Sequence, residues 1–246
     1  MTTQFENFPN PPIQEALIDF RVGIVSLPTR ELMKQLILQL GNDYPVNSEI
    51  VRLNATFAFD QGVGSANQTS SFGGLRFESP DRGFVFQAQV DGFTISKLKP
   101  YRNWEELLAT AKDLWSIYRD VLLPTSIERI ACRYINRIEV KENNFDLNDY
   151  LAAAPKIPEN LPQGISRYLM QQEIPVPVEN ATVVFTQTLE GVYGAPSAFL
   201  MDIDVFKVAS YAIDENQWWT DLERLRLLKN RFFFESITEK AKALFR

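Results

Sequence analysis

The run IERIACRYINRIEV, residues 127–140, constrains the fold more than any other stretch. In a strand, successive side chains point to opposite faces. One face of the run then carries Ile130, Cys132, Tyr134, Asn136, Ile138 and Val140, and the other carries Arg129, Ala131, Arg133, Ile135 and Arg137. The first face is apolar but for Asn136. The second is an arginine ladder.

Arg129, Arg133 and Arg137 are spaced four residues apart, which at about 3.3 Å per residue separates neighbours by about 13 Å. One carboxylate or phosphate cannot touch two of them. The spacing suits three separate ion pairs, or a groove along an extended polyanion. Partners are available inside the chain: Glu15 and Asp19 share one face of an N-terminal strand, and Asp202 and Asp204 in AFLMDIDVF share one face of a C-terminal strand. If those strands flank the central one, cross-strand pairing accounts for the ladder, and partial burial would require it.

The functional alternative is a polar cavity enclosed by the sheet, in which Arg133 and Arg137, with Asn136, Glu15 and Asp19, hold an anionic ligand. Asp202 and Asp204, with Asp19 or Glu15 nearby, are also candidate oxygen ligands for Mg²⁺, although an Asp-x-Asp in a strand is a common accident. No cofactor is expected. The amide of Asn136 needs hydrogen-bond partners if buried, a neighbouring backbone being the ordinary one. Tyr134 is expected at the core edge with its hydroxyl bonded. Cys132 reads as a small buried hydrophobe.

The rest of the chain supplies strands and amphipathic helices. Residues 13–25 alternate as a strand, and Leu32, Met33, Leu36, Ile37 and Leu40 repeat at helical spacing until Gly41. Residues 50–60 form a further strand, and QGVGSANQTSSFGG, residues 61–74, reads as a long hairpin loop on composition, with a lid or partner-binding role as the functional alternative. Strands follow at 75–78, 83–90 and 93–98, the last two joined by Asp91-Gly92. Asn103 and Glu106 open a helix that Pro124 ends. After the central strand come a short helix at 146–154, strands at 165–175, 181–189 and 197–209, and helices at 218–230 and 237–245, the latter capped by Ser236 with Glu239.

The fold class is therefore α+β: a largely antiparallel sheet with helices on one face. The element order suggests pseudo-duplicated strand-helix-strands-helix halves, 1–125 and 126–246, expected to form one compact unit. An exposed edge strand, or an aromatic patch around Trp218 and Trp219, would support a homodimer; both tryptophans are equally suited to a core.

Composition excludes several chemistries. The chain has no histidine, which removes His-dependent triads, His-based zinc sites and histidine proton shuttles. With one cysteine no intrachain disulfide can form. The net charge of −6 makes nucleic acid an unlikely partner. No run approaches a membrane span and the first residues lack signal-peptide character, so the expected setting is cytoplasmic with no membrane.

Four stretches, NPPIQEALIDFRV (10–22), CRYINRIEV (132–140), LMDIDVF (200–206) and FFFESITEKAKALF (232–245), together resemble a sporadically distributed prokaryotic family of about this length that has no established reaction. The resemblance implies no catalytic residues, and its patchy distribution implies an accessory role such as defence, immunity or toxin–antitoxin function. The leading expectation is a non-enzymatic interaction module with a protein partner or a homo-oligomer. The alternative is an enzyme or ligand-binding protein acting on an anionic small molecule or nucleotide.

Overall fold

In the computed structural model, residues 5–60, 63–142, 145–191 and 197–246 are described, with only the backbone at 56–60 and 63–67. The strands are β1 (Ile13–Gly23), β2 (Val46–Asp60), β3 (Val63–Ser79), β4 (Phe84–Gln89), β5 (Gly92–Leu98), β6 (Ser126–Val140), β7 (Tyr168–Val176), β8 (Ala181–Glu190) and β9 (Ser197–Ala212). The helices are α1 (Arg30–Met33), α2 (Gln35–Leu40), α3 (Trp104–Leu122), α4 (Gln217–Ser236) and α5 (Glu239–Ala243). All the strands join one antiparallel sheet in the order β2-β3-β4-β5-β1-β6-β9-β8-β7. The fold is α+β.

The arginine-bearing run is β6, and its neighbours are the two strands that carry the aspartates. β1 lies on one side, with Ile18 opposite Cys132, and β9 on the other, with Val205 opposite Cys132. Alternation does the rest. Ala16, Ile18, Phe20, Ile130, Cys132, Ile203 and Val205 are fully buried on the face that the helices cover, while the arginine face carries charge and partial exposure.

At the centre of the covered face Phe20 meets Phe93, Trp115 and Trp218 at ring-centroid distances of 5.3, 5.5 and 4.9 Å. Such aromatic pairs add stabilisation beyond the area they bury. Trp218 belongs to this core, and the partly buried Trp219 stacks on it at 3.9 Å. The tryptophan pair is thus not an exposed patch, because it closes α4 onto the sheet.

The structure corrects three local expectations. Most of the predicted loop at 61–74 is strand: β3 pairs with β2 from Asp60↔Val63 to Val46↔Glu78. Its polar side chains do not prevent this, since the bonds of a ladder come from the backbone and small polar residues tolerate extended conformation. Gln61 and Gly62 of that stretch lie outside the described residues. The predicted helix at 146–154 is only a short 3₁₀ turn, Leu147–Asp149. The cap of α5 is Thr238, whose hydroxyl accepts from the Ala241 amide, rather than Ser236, which still belongs to α4. The cap expected at Asn103 is present, its side chain accepting from the Glu106 amide at 2.8 Å.

Phe20→Ala should lower stability by about 3–5 kcal/mol, the usual cost of a large aromatic cavity. A shift of the urea midpoint with unchanged slope is the expected readout.

Candidate functional site

The arginine ladder is engaged inside the protein. Arg129 donates to Asp19 at 2.8 Å and to Asp204 at 3.2 Å, and its guanidinium lies over the Phe206 ring. Asp19 also accepts from the Thr94 hydroxyl at 2.6 Å. Arg133 makes a two-point contact with Asp202, the Nε bond being 2.8 Å. Arg137 reaches Glu139, and Glu190 at 3.8 Å. The Arg129 and Arg133 pairs are cross-strand and follow from the register, in which Asp204 sits directly opposite Arg133 and Asp202 opposite Ile135, whereas Glu139 lies on β6 itself and Glu190 on β8.

The candidate residues therefore separate. Arg133, Arg137, Glu15, Asp19, Asp202 and Asp204 lie on the uncovered face of the sheet, whereas Asn136 faces the helices. Asp202 and Asp204 each hold an arginine, and among the described residues no group of three or more Cys, Asp or Glu is arranged to hold a metal ion. Burial pushes the Asp204 carboxyl above the usual carboxylate range, against the pull of Arg129 and Arg133. One of its oxygens, Oδ1, is buried without a hydrogen bond.

The other face holds a cavity of about 820 Å³. Its walls come from four parts of the chain: the N-terminal strap at residues 5–13, the segment 101–105 that enters α3, Tyr134 and Asn136 of β6, and residues 226–234 of α4. The strap is fastened to the C-terminal helices. Phe5 and Phe8 stack on Phe234 at 5.1 and 5.6 Å, the Asn10 amide donates to the Phe245 carbonyl at 3.1 Å, and Glu6 pairs with Arg246. A register shift between Ile13 and Glu15 marks the place where β1 leaves β6 beside Asn136.

Polar side chains share the cavity wall with the aromatic ones. The hydroxyls of Tyr101 and Tyr134 share a hydrogen bond of 2.7 Å. Asn136 donates to the carbonyls of Met201, at 3.1 Å, and Tyr134, at 3.4 Å, which answers the expectation of a backbone partner; among the described residues nothing donates to its Oδ1. Arg226 donates to Glu223 at 2.9 Å and lies over the Trp104 ring. Arg102, exposed, has no ion pair or hydrogen bond among the described residues.

Lys229 is the unusual member. Only 6 % exposed, it makes no hydrogen bond or ion pair among the described residues. Its Nζ sits 3.4 Å from the centre of the Tyr134 ring. Burial pushes the ammonium down to about 7, with Arg226 acting in the same direction and Cys132 opposing. Cys132 itself is pushed up to about 12 by burial, which suits the inert hydrophobe expected of it. A strongly perturbed titratable group in a cleft with convergent polar groups is the pattern of a functional site.

Family models, curated proteins and solved structures were compared with the chain, and none matches. The cavity is thus read on its own chemistry.

Of the sequence-predicted candidates only Asn136 lines this cavity, on the face opposite Arg133 and Arg137; Tyr134, expected only as a core-edge tyrosine, and Lys229, Arg226, Arg102 and Tyr101 were not among them. A signal for Lys229 was present. In α4 it follows Leu222 and Leu225 by seven and four residues and precedes Phe233 by four, so a lysine occupies an apolar-stripe position.

Lys229 makes stability depend on pH in a definite direction. Its folded-state value, about 7, lies below that of an unfolded lysine, so the unfolded chain binds the proton more tightly and stability rises as pH climbs from about 7 towards 10. Lys229→Met should remove that dependence. After allowing for the attraction of the Tyr134 ring, the variant should be more stable than the parent at pH 7 and below by on the order of 3 kcal/mol. The gap should close near pH 10, as urea melts across the range will show.

Proposed function

We propose that the protein binds a small organic anion in the cavity between the N-terminal strap, the start of α3 and α4. The observation that carries this reading is a cavity of ligand size with two cations, Lys229 on its wall and Arg102 at the segment entering α3, that have no carboxylate partner among the described residues. Two carboxylates also line it. Glu6 is held by Arg246, and Glu105 is exposed in the first turn of α3. The N-terminal end of α3 adds partial positive charge, and the aromatic rings of Phe8, Trp104, Tyr134 and Phe234 offer apolar surface to an organic body. Three of the stretches that carry the family resemblance meet here, through Pro11 and Pro12, Tyr134 and Asn136, and Phe233 and Phe234.

The arginine ladder is a poorer site for the same ligand. Each of its members already has a carboxylate, and an incoming anion would have to displace one.

The fluorescent aromatic sulfonate ANS, anilinonaphthalene sulfonate, tests the reading. Saturable one-to-one binding is expected, weakened about tenfold or more by Arg102→Glu, a change of about 1.4 kcal/mol. Absent binding, or equal affinity in the variant, would count against it.

A second reading, an interaction module that pairs with another copy of the chain, is favoured by the β2–β3 ribbon. β4 pairs with β3 only between Gly74 and Ser79, so beyond Val51↔Phe72 the two strands pair only with each other. An isolated two-stranded hairpin is marginal in water, and Val51 and Leu53 on β2 are exposed at 57 % and 65 %. Sedimentation should then show a concentration-dependent dimer that Leu53→Lys abolishes. A monomer at all concentrations would remove this reading.

A further inference from the structure

We propose that Lys229 is an amine nucleophile that condenses with the aldehyde or ketone carbonyl of a small organic anion held in the cavity, forming an imine. This deepens the small-anion reading above and rests on it.

The argument begins with what surrounds the amine. The groups that face it are Cys132 and Tyr134 from β6, Tyr101 through its hydroxyl bond to Tyr134, and Arg226 from α4. None is a carboxylate. Glu223 on the same helix is engaged by the Trp104 indole and by Arg226. A lysine kept only as a structural charge is ordinarily given a carboxylate or several acceptors when it is this buried. Here the amine has an aromatic face, a like charge and a cavity instead. Lysines that form imines are activated in this way, by an apolar pocket and a neighbouring cation that favour the neutral amine with its free electron pair.

The step balances without any further reactant. The Nζ electron pair attacks the carbonyl carbon, and the carbonyl π pair moves to oxygen, which takes up a proton to give a carbinolamine. The carbon–oxygen bond then breaks. The two hydrogens of the amine leave with that oxygen as water, and the carbon–nitrogen double bond remains.

The Tyr101–Tyr134 hydroxyl pair, on the wall of the same cavity, is the source of a hydrogen bond to the carbonyl oxygen. Burial raises both phenols above the usual tyrosine range, so each remains a protonated donor at neutral pH. Arg102 would hold the carboxylate or other anionic group of the same molecule.

Glyoxylate, a small carboxylate aldehyde, with cyanoborohydride as the trapping reductant, is the test on the full-length protein at neutral pH. An exposed lysine is neutral in only about one molecule in 2,500 at pH 7, whereas Lys229 is neutral in about half. Peptide mapping should therefore find the reduced adduct on Lys229 about tenfold or more faster than on the exposed Lys34 and Lys141. Lys229→Arg should abolish that fast phase, whereas Lys34→Arg, at an exposed position away from the cavity, should leave it unchanged. Labelling of Lys229 no faster than of Lys34 and Lys141, in protein that binds ANS, overturns the imine and leaves the anion site standing. Slow labelling together with no ANS binding overturns both.

Discussion

The ladder between β1 and β6 joins residues such as Ile18 and Cys132 that are more than a hundred positions apart, and the remaining strands extend outward from it, four beyond β1 and three beyond β6. Closing a loop of that length carries an entropic cost that grows only slowly with length. It must still be met before either side of the sheet can share a core. What meets it is the covered face of those two strands: Ile18, Phe20, Ile130 and Cys132, all fully buried, together with the aromatic cluster that brings Trp115 of α3 and Trp218 of α4 onto the same residue. The ladder also sets Asp19 beside Arg129 and Asn136 beside the end of the strap. Both faces of the protein take their chemistry from one register.

The two faces treat charge in opposite ways. On the uncovered face every ladder arginine finds a carboxylate within its own or an adjacent strand, and partial exposure to water moderates what each pair contributes. On the covered face Lys229 lies at the wall of a cavity against the Tyr134 ring, beside Arg226 and with no carboxylate partner among the described residues. Desolvation costs of that kind are tolerated where they serve a purpose, since an apolar residue of similar size would be cheaper to bury. The contrast turns attention from the residues with the most conspicuous pattern to the single lysine with the least compensated environment.

How much of this was legible follows from the range of each interaction. Alternation in residues 127–140 identified β6, its faces and the aspartates that pair with Arg129 and Arg133, because strand periodicity is a local property that the sequence states directly; Glu139 and Glu190, the partners of Arg137, were not among the expected carboxylates, and Glu15 forms no ion pair with the ladder among the described residues. The Asn103 cap was readable for the same reason. The part of β3 before residue 75 was read as a loop because its Ser, Thr, Asn and Gln side chains do not report a backbone ladder that a long neighbouring strand supplies. The α5 cap was misplaced by two residues, since Ser236 and Thr238 offer the same hydroxyl and only the path of α4 chooses between them. Lys229 was passed over for a different reason. Its significance comes from four segments brought together from both ends and the middle of the chain, and no window of the sequence contains them.

The clasp between the two ends of the chain forms one wall of the cavity. Among the described residues the strap is held by the rings of Phe5 and Phe8 against Phe234 and Phe245, by two backbone hydrogen bonds, Asn10 to Phe245 and Arg137 to Pro12, and by an ion pair that sits at the surface. Segments of this sort open without the rest of the fold. Because Glu6 and Arg246 are both solvent-facing, their share of that clasp weakens as ionic strength rises.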